Sequence, residues 1–274
     1  MSAESRLRWA HILLFVTPLL WSANYIGARA AVDIIGPNQL ALARWTVAFF
    51  IMLPIALPAL RREWPYWRRE WRQSLVLGAL GMWICGAFVY LGAQTSPAVN
   101  IGLLYALAPV LIALLSVRLL GERLSPFQIA GAAVALGGVA VILFKGSLQN
   151  LQSIELTRGD IWVAIAVASW TLYSLLFRRM PSVLDSFARL TVITLAGMLV
   201  LIPFTAVEIA VYGLAQPSWQ VLGLILLVAI LPGFGAYQAY AFVQRELGAA
   251  RTGLILYLGP IYAALVAWAV LGEQ

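Results

Sequence analysis

Residues 98–122 read AVNIGLLYALAPVLIALLSVRLLGE, and residues 249–273 read AARTGLILYLGPIYAALVAWAVLGE. Set side by side without gaps, they agree at ten of 25 positions: Ala98/Ala249, Gly102/Gly253, Leu103/Leu254, Leu107/Leu258, Pro109/Pro260, Ala113/Ala264, Leu114/Leu265, Leu120/Leu271, Gly121/Gly272 and Glu122/Glu273. Shared apolar composition inflates matches among leucines and alanines. It does not account for a proline at the same place in both, or for the closing Leu-Gly-Glu. Weaker echoes run in step with this one: Trp21-Ser22 with Arg29 answers Trp170-Thr171 with Arg178, and Ala43-Arg44 with Thr46-Val47 answers Ala188-Arg189 with Thr191-Val192. The chain therefore reads as two related units, residues 1–155 and 156–274.

The medium of the fold follows from composition. Hydrophobic residues make up 62% of the chain and charged residues 11%, with a mean hydropathy of +0.90. A soluble domain carries about 25% charged residues, so this chain cannot coat a water-facing globule of its size. Nine apolar spans recur, at about 9–29, 38–60, 73–95, 97–120, 126–145, 159–179, 185–207, 217–244 and 249–271. Each has the length of a helix crossing a ~30 Å hydrocarbon core. In lipid the backbone must satisfy itself, and the spans are about twice as long as barrel strands, so they read as helices. No signal-peptide cleavage pattern appears at the start, and the run from Trp9 reads as a first membrane helix that is retained.

The net charge of +7 could point to nucleic acid, but the basic residues sit in short clusters between apolar runs. With the N-terminus in the cytoplasm, the inner side holds Arg6, Arg8, Arg61, Arg62, Arg68, Arg69, Arg72, Arg118, Arg123, Arg178, Arg179, Arg245 and Arg251. The outer side holds Arg29, Lys145 and Arg158. Thirteen against three is the positive-inside bias, and it sets an inside N-terminus. The expected partners are the lipid bilayer and a small-molecule substrate, with no nucleic acid and a monomeric chain. Five spans in the first unit turn the second upside down, which gives the inverted-topology repeat found in many secondary transporters. After Gly121-Glu122 the first unit has a fifth span, whereas the second stops at Gln274, so a tenth helix beyond it is expected.

The segment Leu20-Trp21-Ser22-Ala23-Asn24-Tyr25, the pair Ala43-Arg44, and the prolines Pro109 and Pro260, each followed by Leu-Gly-Glu, resemble the EamA family of the drug/metabolite transporter superfamily. The likeness runs over the whole chain, and within the family it leans towards bacterial exporters of aromatic amino acids and related metabolites. It implies an all-α integral membrane fold, a basket of helices around a central cavity walled by spans one, three, four, six, eight and nine. It also implies alternating access and export across a bacterial inner membrane.

The residues that could serve such a cavity fall on helical faces. Trp21, Asn24 and Tyr25 share one face of the first span. Asn24 is an amide at membrane depth and should point inward, to substrate or to a neighbouring helix. Trp83 and Tyr90 share a face of the third span with Ala87 and Gln94, and Trp170 and Tyr173 share one of the sixth. Tyr237, Tyr240 and Tyr257 complete an aromatic set deeper than the interfacial belt of Trp9, Trp64, Trp67, Trp71 and Trp219. Each offers a flat face and one polar atom, and ordinary packing is the competing reading for any one of them. Pro109, Pro260 and the Pro232-Gly233 pair interrupt helical hydrogen bonding, as hinges or as static kinks. Arg44 and Arg189, at matching places in the two units, read first as helix-end anchors or carbonyl donors and second as a grip for a substrate carboxylate.

The acidic residues bear on mechanism. Asp33, Glu122, Asp160, Asp185, Glu208 and Glu273 all fall at span ends or in loops, and the single histidine, His11, lies near the start of the first span. Proton exchange needs a titratable group in the path, so gradient-driven movement of a neutral or zwitterionic solute is the leading expectation. A proton-coupled exporter of drugs or organic cations is the alternative. An intramembrane enzyme lacks a deep base, Lys145 being the sole lysine, and a continuous pore would favour rings of like residues from a symmetric oligomer. Cys85 is the only cysteine, so neither a disulfide nor a thiolate metal site is expected, and no cofactor.

Overall fold

Capping residues set where the apolar runs become helices. The computed structural model describes residues 2–96, 98–143, 157–253, 257–259 and 262, and every regular element among them is helical. Helix α1 (Ala3–Ala30) starts where the Ser2 hydroxyl accepts from Ser5 N, an N-cap contact that satisfies one of the first orphan N–H groups. A turn in which Asp33 takes φ 62° leads to α2 (Pro37–Arg62), with Pro37 at its first position, where a missing N–H costs nothing. Helix α3 (Trp64–Ala93) contains a π-helical stretch, Ala79–Ile84. Helices α4 (Ala98–Tyr105), α5 (Ala108–Leu120) and α6 (Pro126–Leu143) follow.

Helix α7 (Arg158–Arg179) opens with a reciprocal capping box between Thr157 and Asp160, and α8 (Ser186–Tyr212) opens on the Asp185 carboxylate. Helix α9 (Trp219–Leu247) starts at a Ser218 cap and carries the second π-helical stretch, Ala229–Ala236. Helix α10 (Ala249–Gly253) is the beginning of the ninth expected span.

Six helices, α1, α2, α3, α7, α8 and α9, are long and apolar enough to cross a bilayer, and they match the first, second, third, sixth, seventh and eighth expected spans. The fourth differs from expectation. It is two helices, α4 and α5, parted at Ala106 and Leu107. Pro109 lies in the first turn of α5 instead of kinking one long helix. A proline ring clashes with the carbonyl four residues back but fits a first turn without loss. Pro260 and the Leu-Gly-Glu that follows it lie outside the described residues.

The first Leu-Gly-Glu has two separate jobs. Gly121 takes φ 68°, a left-handed conformation that favours glycine, and ends α5. Glu122 then reaches across the bundle and accepts from Ala249 N and Ala250 N, both at 2.9 Å, at the start of α10. Glu208 does the same for α2, accepting from Asn38 N, Asn38 Nδ2 and Gln39 N. Glu70 holds Ser182 and Val183 N between α7 and α8, and Asp160 takes the Ser96 hydroxyl. Glu122 and Glu208 serve as caps at helix starts, where N–H groups lack partners and the helix dipole favours negative charge, while Glu70 and Asp160 tie a loop and a helix end to their neighbours.

The helices pack most extensively as α2 on α8, α1 on α9, α3 on α7, α3 on α8 and α2 on α9. Glycines let backbones approach, as small residues do between membrane helices. A Cβ at Gly78 of α3 would lie 2.5 Å from Gly197 N of α8, and one at Gly159 of α7 would collide with Gly92 O of α3. The outer surface is apolar, with Phe15, Phe50, Ile55, Leu114, Phe127, Ile161 and Val207 exposed. Soluble monomers rarely show so much.

Candidate functional site

Five helices, α1, α2, α3, α7 and α9, bring polar and aromatic side chains together inside this apolar shell. Trp21 and Asn24, three residues apart, share a face of α1. Arg44 stands seven residues into α2, about 10 Å from its start at 1.5 Å per residue, and is 2% exposed. Its Nη1 donates to Asn24 Oδ1 at 3.0 Å and to Tyr90 Oη at 2.8 Å, and Tyr90 Oη donates in turn to Asn24 Oδ1 at 2.8 Å. The guanidinium lies 4.3 Å from the Trp45 ring centre and 5.9 Å from that of Tyr237, within cation–π range. Among the described residues no carboxylate pairs with it.

Arg44 borders a cavity of about 50 Å³ whose wall also includes Trp21, Asn24, Cys85, Tyr105, Trp170 and Tyr237. Small-molecule sites run to about 300–1,000 Å³, so the cavity is contracted here to the scale of a few water molecules. Beside it lies a closed group of rings. Trp170 meets Trp21 edge-on at 5.1 Å and stacks on Tyr173 at 5.3 Å, while Tyr240 tilts against both tryptophans at 5.2 and 4.9 Å. Tyr237 sets its ring edge-on to Trp170, and Tyr240 Oη donates to Ser174 Oγ. The Trp170 Nε1–H is buried at this wall without an acceptor among the described residues.

The π-helical stretch of α3 supports the same site. A wider turn takes carbonyls off the regular ladder, and three other helices supply the missing donors. Ser169 Oγ donates to Leu80 O at 2.8 Å, Tyr237 Oη to Gly81 O at 2.9 Å, and Trp45 Nε1 to Met82 O at 2.9 Å. The π-helical stretch of α9 contains Pro232 and Gly233. A Cβ on Gly233 would lie 3.0 Å from Val228 O, 3.4 Å from Arg44 Cγ and 3.5 Å from Nε, so the glycine brings the α9 backbone close against the arginine.

Of the aromatic and amide residues expected at a cavity, Trp21, Asn24, Tyr90, Trp170, Tyr173, Tyr237 and Tyr240 come together. Trp83 does not: it stacks on Phe204 of α8 at 3.8 Å and meets Phe88 edge-on. The π turn ends the straight register on which Trp83 and Tyr90 would share a face, and Cys85 and Gly86 border the cavity in its place. Tyr257 is absent from the cavity wall, and its buried hydroxyl has no partner among the described residues. The Tyr25 side chain lies outside the described residues. Trp45, Cys85, Tyr105 and Ser169 are additions that sequence reading missed. Arg189 takes the carbonyl-donor role, giving hydrogen bonds to Phe177 O at 2.7 Å and Met180 O at 2.9 Å at the end of α7. A larger groove of about 940 Å³ between α2, α8 and α9 is walled mostly by apolar residues such as Leu42, Val47, Ile209 and Ile225, a lining suited to lipid chains.

Long apolar helices around a polar, aromatic-walled pocket, with the hydrophobic surface outermost, define a multi-pass membrane protein. The chain belongs to the EamA-like transporter family, whose sequence pattern matches residues 8–144 and again 157–274. A relative from Streptantibioticus cattleyicolor described as a probable terminal-alkyne amino-acid exporter is 30% identical, over 98% of this chain and 86% of its own length. An Ancylobacter novellus protein described as the aromatic amino acid exporter YddG is 26% identical, over 94% of this chain and 87% of its own. A solved crystal structure at 22% identity superposes with a TM-score of 0.73, covering 97% of this chain and 89% of that one, which fixes the likeness at the level of fold.

Proposed function

We propose that the protein is a secondary transporter that exports amino acids, aromatic and other neutral ones, and related small metabolites by alternating access and without proton coupling. One observation carries the reading: the pocket inside the bundle holds a buried arginine and a wall of aromatic rings, while the buried carboxylates Glu208 and Asp160 are engaged at helix ends. An arginine does not give up its proton, so it supplies fixed charge and no proton relay. The same charge disfavours an organic cation in the pocket, which argues against the drug-exporter alternative. The relatives described as amino-acid exporters point the same way.

In this reading residues 1–155 and 156–274 are two related units of inverted topology. The packing supports it. Exchanging the units turns the α1–α9 contact into α7–α3 and the α2–α9 contact into α8–α3, and both members of each pair occur. The π-helical stretches at Ala79–Ile84 and Ala229–Ala236 fall at corresponding places, and with Pro109, Pro232, Gly233 and Pro260 they form the hinges. Substrate enters when the rings of Trp21, Trp170 and Tyr240 part. The N-terminus faces the cytoplasm of a bacterial cell in this reading, which the arginine distribution supports.

The test is counterflow in proteoliposomes. Vesicles loaded with unlabelled phenylalanine should accumulate labelled phenylalanine, equally with and without an uncoupler, and should ignore a tetraalkylammonium cation. Loss of counterflow with the uncoupler defeats the facilitated mechanism.

A further inference from the structure

We propose that the Nε/Nη2 edge of Arg44 anchors the carboxylate of the transported solute, and that the pocket reads this carboxylate and not an ammonium. The inference rests on the pocket being the transport site. Both protons of Nη1 are spent, one on Asn24 and one on Tyr90. Among the described residues Nε is buried with no partner, and Nη2 makes no hydrogen bond. The unused edge is the one that grips a carboxylate through two parallel N–H···O bonds.

The surroundings prepare that edge and supply no competing anion. Asn24 and Tyr90 fix the guanidinium plane, Trp45 lies against it, and Gly233 adds no side chain beside Nε. A buried cation with three unused donors and no counter-ion among the described residues is costly on its own account, and an incoming carboxylate relieves that cost. The buried Trp170 Nε1–H, without an acceptor among the described residues, gives the wall a further donor. Acceptors for an ammonium are scarce by contrast. Asn24 Oδ1 already accepts twice and Gly81 O accepts from Tyr237. Among the described residues no Asp or Glu lies on the pocket wall. The repeat counterpart Arg189 spends its donors on helix-end carbonyls, so the anchor belongs to one unit only.

The class of ligand is therefore a monocarboxylate with an aromatic or apolar tail, with or without an amino group. Binding of labelled phenylalanine to the purified protein in detergent, challenged by analogues, tests it. We expect 3-phenylpropionate to displace the label within about tenfold of the concentration at which phenylalanine itself does, the remaining contacts being weak. Phenylethylamine and phenylalanine methyl ester should fail at about a hundredfold excess, having lost the charged hydrogen bonds. Displacement by the amine or the ester with none by phenylpropionate overturns the anchor, as does the absence of saturable phenylpropionate binding. Arg44→Lys keeps the charge and removes the fork. It should weaken phenylpropionate binding by about ten- to a hundredfold, and unchanged affinity contradicts the proposal. Should that variant not fold, the analogue series on the unaltered protein decides alone. Binding with the expected ranking but no counterflow leaves the anchor standing and defeats the transport reading. Counterflow with the ranking reversed defeats the anchor.

Discussion

Removing the Glu208 carboxylate tests whether the buried acids are structural caps. Glu208 is 8% exposed and accepts from Asn38 N at 3.0 Å, Asn38 Nδ2 at 2.8 Å and Gln39 N at 3.0 Å. Glu208→Ala leaves these donors without an acceptor at the start of α2. Hydrogen bonds to a charged group contribute about 1.5–3 kcal/mol each and do not add fully, so a loss of ~3–5 kcal/mol is expected. At roughly 2–4 °C per kcal/mol for a chain of this order of size, the midpoint of thermal unfolding in detergent falls by roughly 6–20 °C. The assay is loss of the monodisperse gel-filtration peak after heating, with Glu63→Ala as control. Glu63 pairs with its neighbour Arg62 at an exposed site, where an ion pair contributes at most about 1 kcal/mol. Transport by surviving Glu208→Ala protein should persist. A midpoint within about 2 °C of the parent, or a folded protein that no longer transports, refutes the cap assignment.

Two further outcomes follow from the same contacts. Trp170→Ala opens the ring cluster at the pocket and should lower phenylalanine counterflow per folded molecule by about tenfold or more, as the loss of ~1.4 kcal/mol or more of contact energy implies. Trp64→Ala, at a site 53% exposed, should leave counterflow near the parent value, and equal effects would sink the pocket assignment. Gly78→Val drives a side chain into the α8 backbone at Gly197. Such overpacking costs about 1–3 kcal/mol or more, so folded yield should fall sharply, whereas Gly223→Ala, where nothing lies within 4 Å, should express normally.

The long helices were legible because lipid leaves an apolar run no alternative, and the break in the fourth span was marked by Pro109. The roles of Gly121 and Glu122 were only half legible. Glycine after an apolar run announces a helix end, but the partner of Glu122 lies 127 positions further along the chain. The π turn of α9 announced itself through Pro232 and Gly233. That of α3 carries no proline, and a straight helical count without it puts Trp83 on the pocket face, whereas the ring packs on Phe204. Arg44 and Arg189 looked equivalent by position, yet their depths differ. Arg189 stands three residues after Ser186 and reaches the carbonyls ending α7. Arg44 stands seven residues after Pro37 and meets Asn24 and Tyr90 instead, partners from separate helices that no local pattern brings together.

Cys85 offers the most direct measurement. It is the only cysteine in the chain, it is buried and free, and it borders the pocket beside Arg44. A membrane-impermeant maleimide should label it slowly in right-side-out vesicles and again in inverted vesicles, and phenylalanine should slow labelling from both sides. Labelling from one face alone, or labelling that phenylalanine leaves unchanged, would contradict a substrate pocket that alternates between the two sides of the membrane.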